Sequence, residues 1–345
     1  MSDSFDAVVI GAGPGGYVCA IRLGQLGLKT AVIERGDLGG VCLNWGCIPT
    51  KAVIHAAQLR EEVKHAETIG IGAGEVGFDL DKLRAWKEGI LKKLRGGIAG
   101  LFKAHGIEHI QGTGKITGPN TVECTAADGG TKTITAKSIV VATGARPFEL
   151  PFLPRSHPRV WTSEECLALD EIPERFAILG GGVIGLEIAG AYSKLGSKVT
   201  IVEMMPQIMT GTDKDLVRPV MRKLKKAGVK VLLEAKATSL EDGPNGAVLK
   251  GEGPKGPFEV PCDRVLVAVG FRPNSEGIGL DAAGVGATDR GYVPVDPRCK
   301  TNVDSVYAIG DITGPPFLAH RASKQGIICA EVIAGKPSIC DFQAM

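Results

Sequence analysis

Apolar residues along the chain follow two rhythms. Short, mostly apolar runs, Ala7-Val8-Val9-Ile10, Thr30-Ala31-Val32-Ile33, Phe176-Ala177-Ile178-Leu179 and Lys198-Val199-Thr200-Ile201-Val202, are bounded by glycine or charge. They have the length and texture of strands buried on both faces. Between the members of each pair lies a stretch of helical periodicity, Tyr17 to Leu26 in the first and up to Leu195 in the second. Strand, helix, strand, occurring twice, predicts an α/β fold with parallel sheets. Three later runs, 139–144, 265–270 and 306–311, each pass into glycine, as a buried strand does where it ends beneath a ligand. Leu83, Trp86, Ile90, Leu94, Ile98 and Leu101 recur at helical spacing with lysine and arginine between them. This pattern predicts a helix with that face on the core, in preference to a basic helix lying on a membrane. The Gly/Pro/Lys-rich stretch 242–257 reads as hairpin turns.

The junctions between these runs carry the chemistry. The first strand enters Gly11-Ala12-Gly13-Pro14-Gly15-Gly16, and the second ends on Glu34. The unit recurs as Gly180-Gly181-Gly182-Val183-Ile184-Gly185, with Glu203 closing the next strand; each acid stands 23 positions after the first glycine. In a G-x-G-x-x-G turn, the first glycine makes the tight turn and the second lets a pyrophosphate approach the backbone. The third lets helix and strand pack closely, the helix N-terminus faces the phosphates, and the acid accepts from ribose hydroxyls. Gly11, Gly13, Gly16 and Glu34 therefore predict one dinucleotide site, and Gly180, Gly182, Gly185 and Glu203 a second. The carboxylate of Glu203 would repel a ribose 2′-phosphate, no arginine follows it directly, and Gly185 is not replaced by alanine, so the second site favours NAD over NADP. Met204, Met205 and Met209 read as packing residues. Asp311, directly after its strand, is placed to bind polyol hydroxyls.

Composition narrows the picture. Of 345 residues 48 are glycine, about twice the usual share. Without a Gly-X-Y period, and with 44% hydrophobic residues, neither collagen nor global disorder fits. The 40 lysines and arginines nearly balance 38 acids, for a net charge of +2, with no basic block suited to nucleic acid. No apolar run reaches a membrane-spanning length, and the acidic N-terminus has the wrong order of features for a secretory signal. Nine scattered cysteines, an odd count, point to a reduced, cytoplasmic chain whose cysteines are small core residues.

Cys42 and Cys47 break that pattern. They lie in Gly39-Gly40-Val41-Cys42-Leu43-Asn44-Trp45-Gly46-Cys47-Ile48-Pro49-Thr50-Lys51, where Pro49 suits the first turn of a helix. A thiolate near that turn is stabilised by the helix dipole and made reactive. No second Cys/His pair at ligand spacing exists, so no metal site is expected. A redox-active pair beside a flavin is the better reading.

This segment matches the active-site signature of the pyridine nucleotide–disulfide oxidoreductases at every fixed position, and the chain resembles that family from about Asp6 onward. Gly11 to Tyr17, the Cys-Leu-Asn-Trp-Gly-Cys loop, Gly182 to Glu187 and Leu318-Ala319-His320-Arg321-Ala322 carry a further likeness to its dihydrolipoamide dehydrogenase branch. The resemblance implies two Rossmann-like domains, with the NAD domain inserted into the FAD domain. Residues 1–148 would begin the FAD domain, 149–271 form the NAD domain and 272–345 complete the FAD part. FAD would lie on Gly11–Gly16, Glu34, Lys51, Thr143, Gly144 and Asp311, with Ala319 and His320 beginning a helix that faces the flavin. NAD would lie on Gly180–Gly185 and Glu203, and Gly270 joins the cofactor-binding set. Cys42 would exchange with substrate, Cys47 would be the flavin-side sulfur, and Lys51 and Glu187 would form an ion pair near the flavin. Electrons would pass from protein-bound dihydrolipoamide through Cys42 and Cys47 to the flavin and on to NAD⁺. The implied partner is the lipoyl domain of a 2-oxo acid dehydrogenase complex or of the glycine cleavage system, the implied assembly a homodimer, and the implied role cell redox homeostasis.

Members also carry a C-terminal dimerisation domain with a His-Pro-Thr motif and a following Glu. None of the six histidines here lies in such a motif, so that domain is expected to be absent and lipoyl turnover by this chain impaired. A glutathione-reductase-like enzyme would want arginines near Glu203. A mercuric-reductase-like enzyme and a non-catalytic FAD/NAD-binding module remain as alternative readings.

Overall fold

The computed structural model describes residues 3–72 and 74–341. The chain divides into two compact units. The first is assembled from Met1–Asn44, Leu91–Arg146 and Phe271–Met345, the second from Trp45–Ile90 and Pro147–Gly270.

The first unit is built on a seven-stranded sheet. Strand Asp3–Ile10 lies at its centre, parallel to Thr30–Glu34 on one side and to Thr131–Val141 on the other. Glu108–Gln111 extends it beyond Thr30–Glu34, and Val306–Ala308 pairs in parallel with the end of Thr131–Val141. The start of that long strand instead pairs antiparallel with Thr121–Thr125, which pairs with Thr113–Gly118. Ala7, Val8, Val9 and Ile10 are all buried, as their unbroken apolar run requires. One face packs Phe5, Val8, Ile10, Ile33, Ile116, Ile139 and Val306 into a single cluster. Helices Pro14–Gln25 and Ala319–Ile333 pack together so closely that a Cβ at Gly326 would stand 2.5 Å from the Gly15 carbonyl oxygen.

The second unit holds an all-parallel five-stranded sheet in the spatial order Lys230–Leu232, Lys198–Val202, Arg175–Leu179, Arg264–Val267, Val160–Trp161. Three antiparallel strands, Lys236–Gly243, Gly246–Gly253 and Gly256–Cys262, form a second small sheet, and its two turns fall where the 242–257 stretch predicts them. Helix Cys47–Lys64 packs against Val183–Leu195, and its Val53 and Ala57 join the core around Phe176, Ile178 and Tyr192. The stretch Trp45–Ile90 thus packs with the second unit, whereas a first domain running unbroken over 1–148 would hold it.

Both sheets reverse their strand order at the central strand. Asp3–Ile10 and Arg175–Leu179 each have the next strand of the chain on one side and a much later one on the other. Such switch points open a crevice at the carboxyl ends of the strands, which is where the two glycine turns sit.

The helix expected around Leu83 to Leu101 spans Leu80–Ala104, but its buried line differs. Lys87, Leu91, Ile98 and Phe102 face inward, while Trp86, Leu94 and Leu101 are exposed. Leu91 and Phe102 stand one residue beyond Ile90 and Leu101, roughly 100° around the helix, whereas Ile98 belongs to both lines and Leu83 of the expected face packs against the core. Lys87 belongs to the inner one because its ammonium donates to the Leu167 carbonyl. Met204 and Met205 are likewise exposed, and of the three methionines only Met209 packs against the core.

Candidate active site

The two glycine turns are near-superimposable in their local constraints. Gly11 and Gly180 have φ of +102° and +104°, and a Cβ at either would stand 2.4 Å from a carbonyl oxygen of the neighbouring strand end, Ala142 or Ala268. A Cβ at Gly16 would stand 1.9 Å from the Gly11 oxygen, and one at Gly185 2.2 Å from the Gly180 oxygen. The middle glycines differ: nothing lies within 4 Å of a Cβ at Gly182, and at Gly13 only the Gly40 Cα does, at 3.9 Å. Each turn is thus closed beneath and open above, the shape that an approaching pyrophosphate needs. Helices Pro14–Gln25 and Val183–Leu195 start from Gly13 and Gly182 with no side-chain cap, which leaves their first N–H groups for an anion.

Glu34 and Glu203 have a role that motif reading missed. Glu34 accepts from the backbone N–H of Ala12 (2.7 Å) and of Gly36 (2.8 Å), and Glu203 from Gly181 (2.6 Å) and Met205 (2.7 Å). Each carboxylate braces its own glycine turn. A carboxylate has about four acceptor positions, so capacity for ribose hydroxyls remains.

Cys42 lies in the short helix Gly40–Asn44, and Cys47 is the first residue of helix Cys47–Lys64. The two are joined in a disulfide. Gly39 and Gly40, at φ +107° and +57°, fold the chain back so that the Gly39 N–H donates to the Ala12 oxygen at 2.9 Å. A Cβ at Gly40 would lie 2.6 Å from the Gly13 Cα. The segment bearing Cys42 is therefore seated directly on the first glycine turn. The Asn44 amide donates to the carbonyls of Gly40 (3.0 Å), Leu38 (3.2 Å) and Asp37 (3.3 Å), bracing that segment, while its Oδ1 is buried without a partner. At the start of the next helix, Thr50 Oγ1 donates to the Gly46 oxygen at 2.6 Å. One helical turn after Cys47, Lys51 Nζ meets Glu187 Oε1 at 2.7 Å, joining residues 136 positions apart.

Thr143 and Gly144 follow the strand Thr131–Val141. Thr143 Oγ1 donates to the Asn274 oxygen and Asn274 Nδ2 donates back to the Thr143 oxygen, both at 2.9 Å, a clamp with no motif to announce it. Gly270, at φ +128°, is exposed with open space around it. Asp311 follows strand Val306–Ala308, and its carboxyl is pushed up by burial, the charge of Arg321 opposing this. Arg321 is itself buried and donates to the carbonyls of Gly314 (2.6 Å) and Pro316 (3.3 Å). Gln325, one turn on, accepts from the Gly310 N–H at 2.8 Å. Both polar side chains are recognisable as an i, i+4 interruption in an apolar helix face. Ala319 and His320 open the helix Ala319–Ile333, which also lacks a side-chain cap, and His320 is exposed.

Comparison with known proteins places this architecture. Residues 5–326 match the pyridine nucleotide-disulphide oxidoreductase family. The chain belongs to that family. Among its relatives, dihydrolipoyl dehydrogenase of Vibrio cholerae is 44% identical over 336 residues, spanning 97% of this chain and 70% of the relative. The Geobacillus stearothermophilus enzyme of the same name is 43% identical over 340 residues, 99% of this chain and 72% of its own. A crystal structure of LpdA from Mycobacterium tuberculosis superimposes with a TM-score of 0.90 at 28% identity, over 98% of this chain and 75% of that one. The flavoprotein disulfide reductase RclA from Escherichia coli, solved as a Cu(II) complex, gives 0.84 at 27% identity over 96% and 71%. The chain is a flavoprotein disulfide oxidoreductase of Rossmann-like α/β fold, and enzymes of its family work with FAD and NAD. Two uncapped helix starts over glycines open to a ligand, each braced by an acid, fit two dinucleotides. Among the described residues no helix is long and apolar enough to cross a membrane.

Proposed function

We infer that the chain oxidises dihydrolipoamide to lipoamide with NAD⁺ as acceptor, in the cytoplasm and on the lipoyl domain of a 2-oxo acid dehydrogenase complex or the glycine cleavage system. The observation that carries this reading is the Cys42–Cys47 disulfide, closed within its signature loop and followed by Lys51 paired with Glu187. Relatives with more than 40% identity over nearly the whole chain, among them the Vibrio cholerae, Geobacillus stearothermophilus and Bacillus subtilis proteins named dihydrolipoyl dehydrogenase, support it. In this reading the first unit binds FAD through Gly11, Gly13, Gly16, Glu34, Thr143, Gly144, Asp311, Ala319 and His320. The second binds NAD through Gly180, Gly182, Gly185, Glu203 and Gly270.

Cys42 is the interchange sulfur. One thiolate of the dithiol attacks its Sγ, a mixed disulfide forms, and Cys47 leaves as thiolate. The second substrate thiol then attacks the mixed disulfide, releasing the cyclic disulfide and the Cys42 thiolate. Cys47 suits the leaving role because it stands at the first position of an 18-residue helix, where the dipole favours negative charge. The Lys51 ammonium, held by Glu187, supplies positive charge one turn away. Bound FAD supplies the two-electron relay between the dithiol and the nicotinamide. Glu203 excludes a 2′-phosphate by charge, so NAD⁺ and not NADP⁺ is the acceptor.

Anaerobic addition of reduced lipoamide to the FAD-loaded chain is expected to expose two new titratable thiols, mapping to Cys42 and Cys47. NAD⁺, and not NADP⁺, then reoxidises them. Failure of reduced lipoamide to open the disulfide, where other dithiols succeed, would contradict the substrate assignment.

A further inference from the structure

A second pair of cysteines lies apart from the signature loop. Cys299 Sγ and Cys340 Sγ are 3.6 Å apart although 41 positions separate them. Both backbones are held. The Cys299 N–H donates to the Asp296 oxygen at 2.9 Å and its carbonyl accepts from Ala308 at 3.1 Å, while the Cys340 N–H donates to the Pro297 oxygen at 2.7 Å. Cys299 is buried in the left-handed region at φ +63°, a conformation uncommon for a residue with a side chain. Cys340 is partly exposed. The thiols are therefore not two core residues that happen to be near each other. One is fixed and buried, the other faces solvent, and a hydrogen bond between main chains holds them side by side.

We propose that Cys299 and Cys340 form a second, reversible disulfide that fastens the segment around Cys340 to the loop 296–300, with a small-molecule disulfide as oxidant. Cys340 is the attacking sulfur, because it is partly exposed to solvent and Cys299 is buried. The hydrogen bond it shares with Cys299, in which either sulfur can donate, lowers its pKa from the ordinary value, with Arg321 and Lys324 adding positive charge against burial and Asp296. The Cys299 thiol is correspondingly pushed up, first by that shared hydrogen bond and then by burial, so it keeps the proton. In the first step the Cys340 thiolate attacks one sulfur of R–S–S–R. A Cys340–S–S–R bond forms, the R–S–S–R bond breaks and RS⁻ leaves. In the second, Cys299 gives up its proton and attacks Cys340 Sγ, forming the Cys299–Cys340 bond and expelling the other RS group. Two protein thiols are oxidised, one small-molecule disulfide is reduced, and the products are RS⁻ and RSH. The bond needs the sulfurs to close from 3.6 Å to about 2.05 Å.

The consequence reaches the cofactor unit. Cys299 Sγ is 3.8 Å from the Gln325 carbonyl oxygen, and the Gln325 side chain holds the Gly310 N–H beside Asp311. Oxidation would lock the chain behind that turn.

Oxidised glutathione is the probe. Incubation of the full chain with it, followed by non-reducing peptide mapping, is expected to yield a Cys299–Cys340 cross-link, reversed by a dithiol, and a thermal unfolding midpoint raised by a few degrees. Cys340→Ser abolishes the cross-link, and Cys299→Ser stops at a stable glutathione adduct on Cys340. Because Cys299→Ser changes a buried residue, a second measurement uses the unaltered chain: at neutral pH Cys340 is alkylated by iodoacetamide several-fold faster than the buried Cys299. Cys299 and Cys340 both remaining thiols, a cross-link to Cys19 or Cys329 instead, or alkylation of Cys340 no faster than that of Cys299 would each overturn the proposal.

Discussion

At the scale of single residues, the site is a set of backbone demands met by glycine and carboxylates. Gly11 and Gly180 must be glycine because their φ and the nearby carbonyl leave no room for a side chain. These requirements were legible, since a turn that needs glycine writes glycine into the sequence. What Glu34 and Glu203 do was only half legible. The acid at a fixed offset predicts a ligand contact, but the offset cannot show that the same carboxylate braces two N–H groups. Asp311 has a cost that can be measured. Burial raises its pKa from the ordinary aspartate value, so its favourable contribution to the fold exists below its unfolded pKa and is lost as pH rises through the folded value. At neutral pH the ionised side chain weighs against the cofactor-free fold. Asp311→Asn is expected to raise the thermal midpoint of the cofactor-free chain at neutral pH, with the gain shrinking towards pH ~4, and to weaken FAD binding. An equal or lower midpoint at neutral pH would show that Asp311 is offset by Arg321 more fully than its burial implies.

At the scale of elements, strands were easier to read than helix faces. An unbroken apolar run such as Ala7 to Ile10 has one reading, whereas an amphipathic helix has an angle that must be chosen. In Leu80–Ala104 the choice of Leu94 and Leu101 as inward residues is displaced by Lys87, whose stem and ammonium occupy the buried line that a hydrophobicity count assigns to neighbours. The difference is testable by thermal or denaturant unfolding. Leu91→Ala, at 2% exposure, is expected to cost about 3 kcal/mol. Leu94→Ala, at 40% exposure, is expected to change stability by about 0.5 kcal/mol or less. Equal losses would restore the face that the sequence periodicity suggests. The Cys47–Lys64 helix shows a complementary limit. Pro49 marks its first turn correctly, but nothing local reveals that Val53 and Ala57 belong to the core around Phe176.

At the scale of the whole molecule, repetition is the organising feature. Two units each put a glycine turn at the strand-order reversal among the parallel strands of its sheet, and each turn is followed by its bracing acid. That doubling was visible from spacing alone. The partition of the chain was not, because membership of 45–90 in one unit or the other depends on packing between residues far apart in sequence. The central claim is that the Cys42–Cys47 pair passes electrons to FAD with Cys47 as the flavin-side sulfur. It is tested most directly by the visible absorption spectrum of the FAD-loaded chain reduced anaerobically with reduced lipoamide. The account predicts a thiolate-to-flavin charge-transfer band at wavelengths beyond the flavin's own absorption. That band is lost in Cys47→Ser and, in Cys42→Ser, is present before any reductant is added. A band that survives Cys47→Ser, or a wild-type disulfide that opens without producing one, would contradict it.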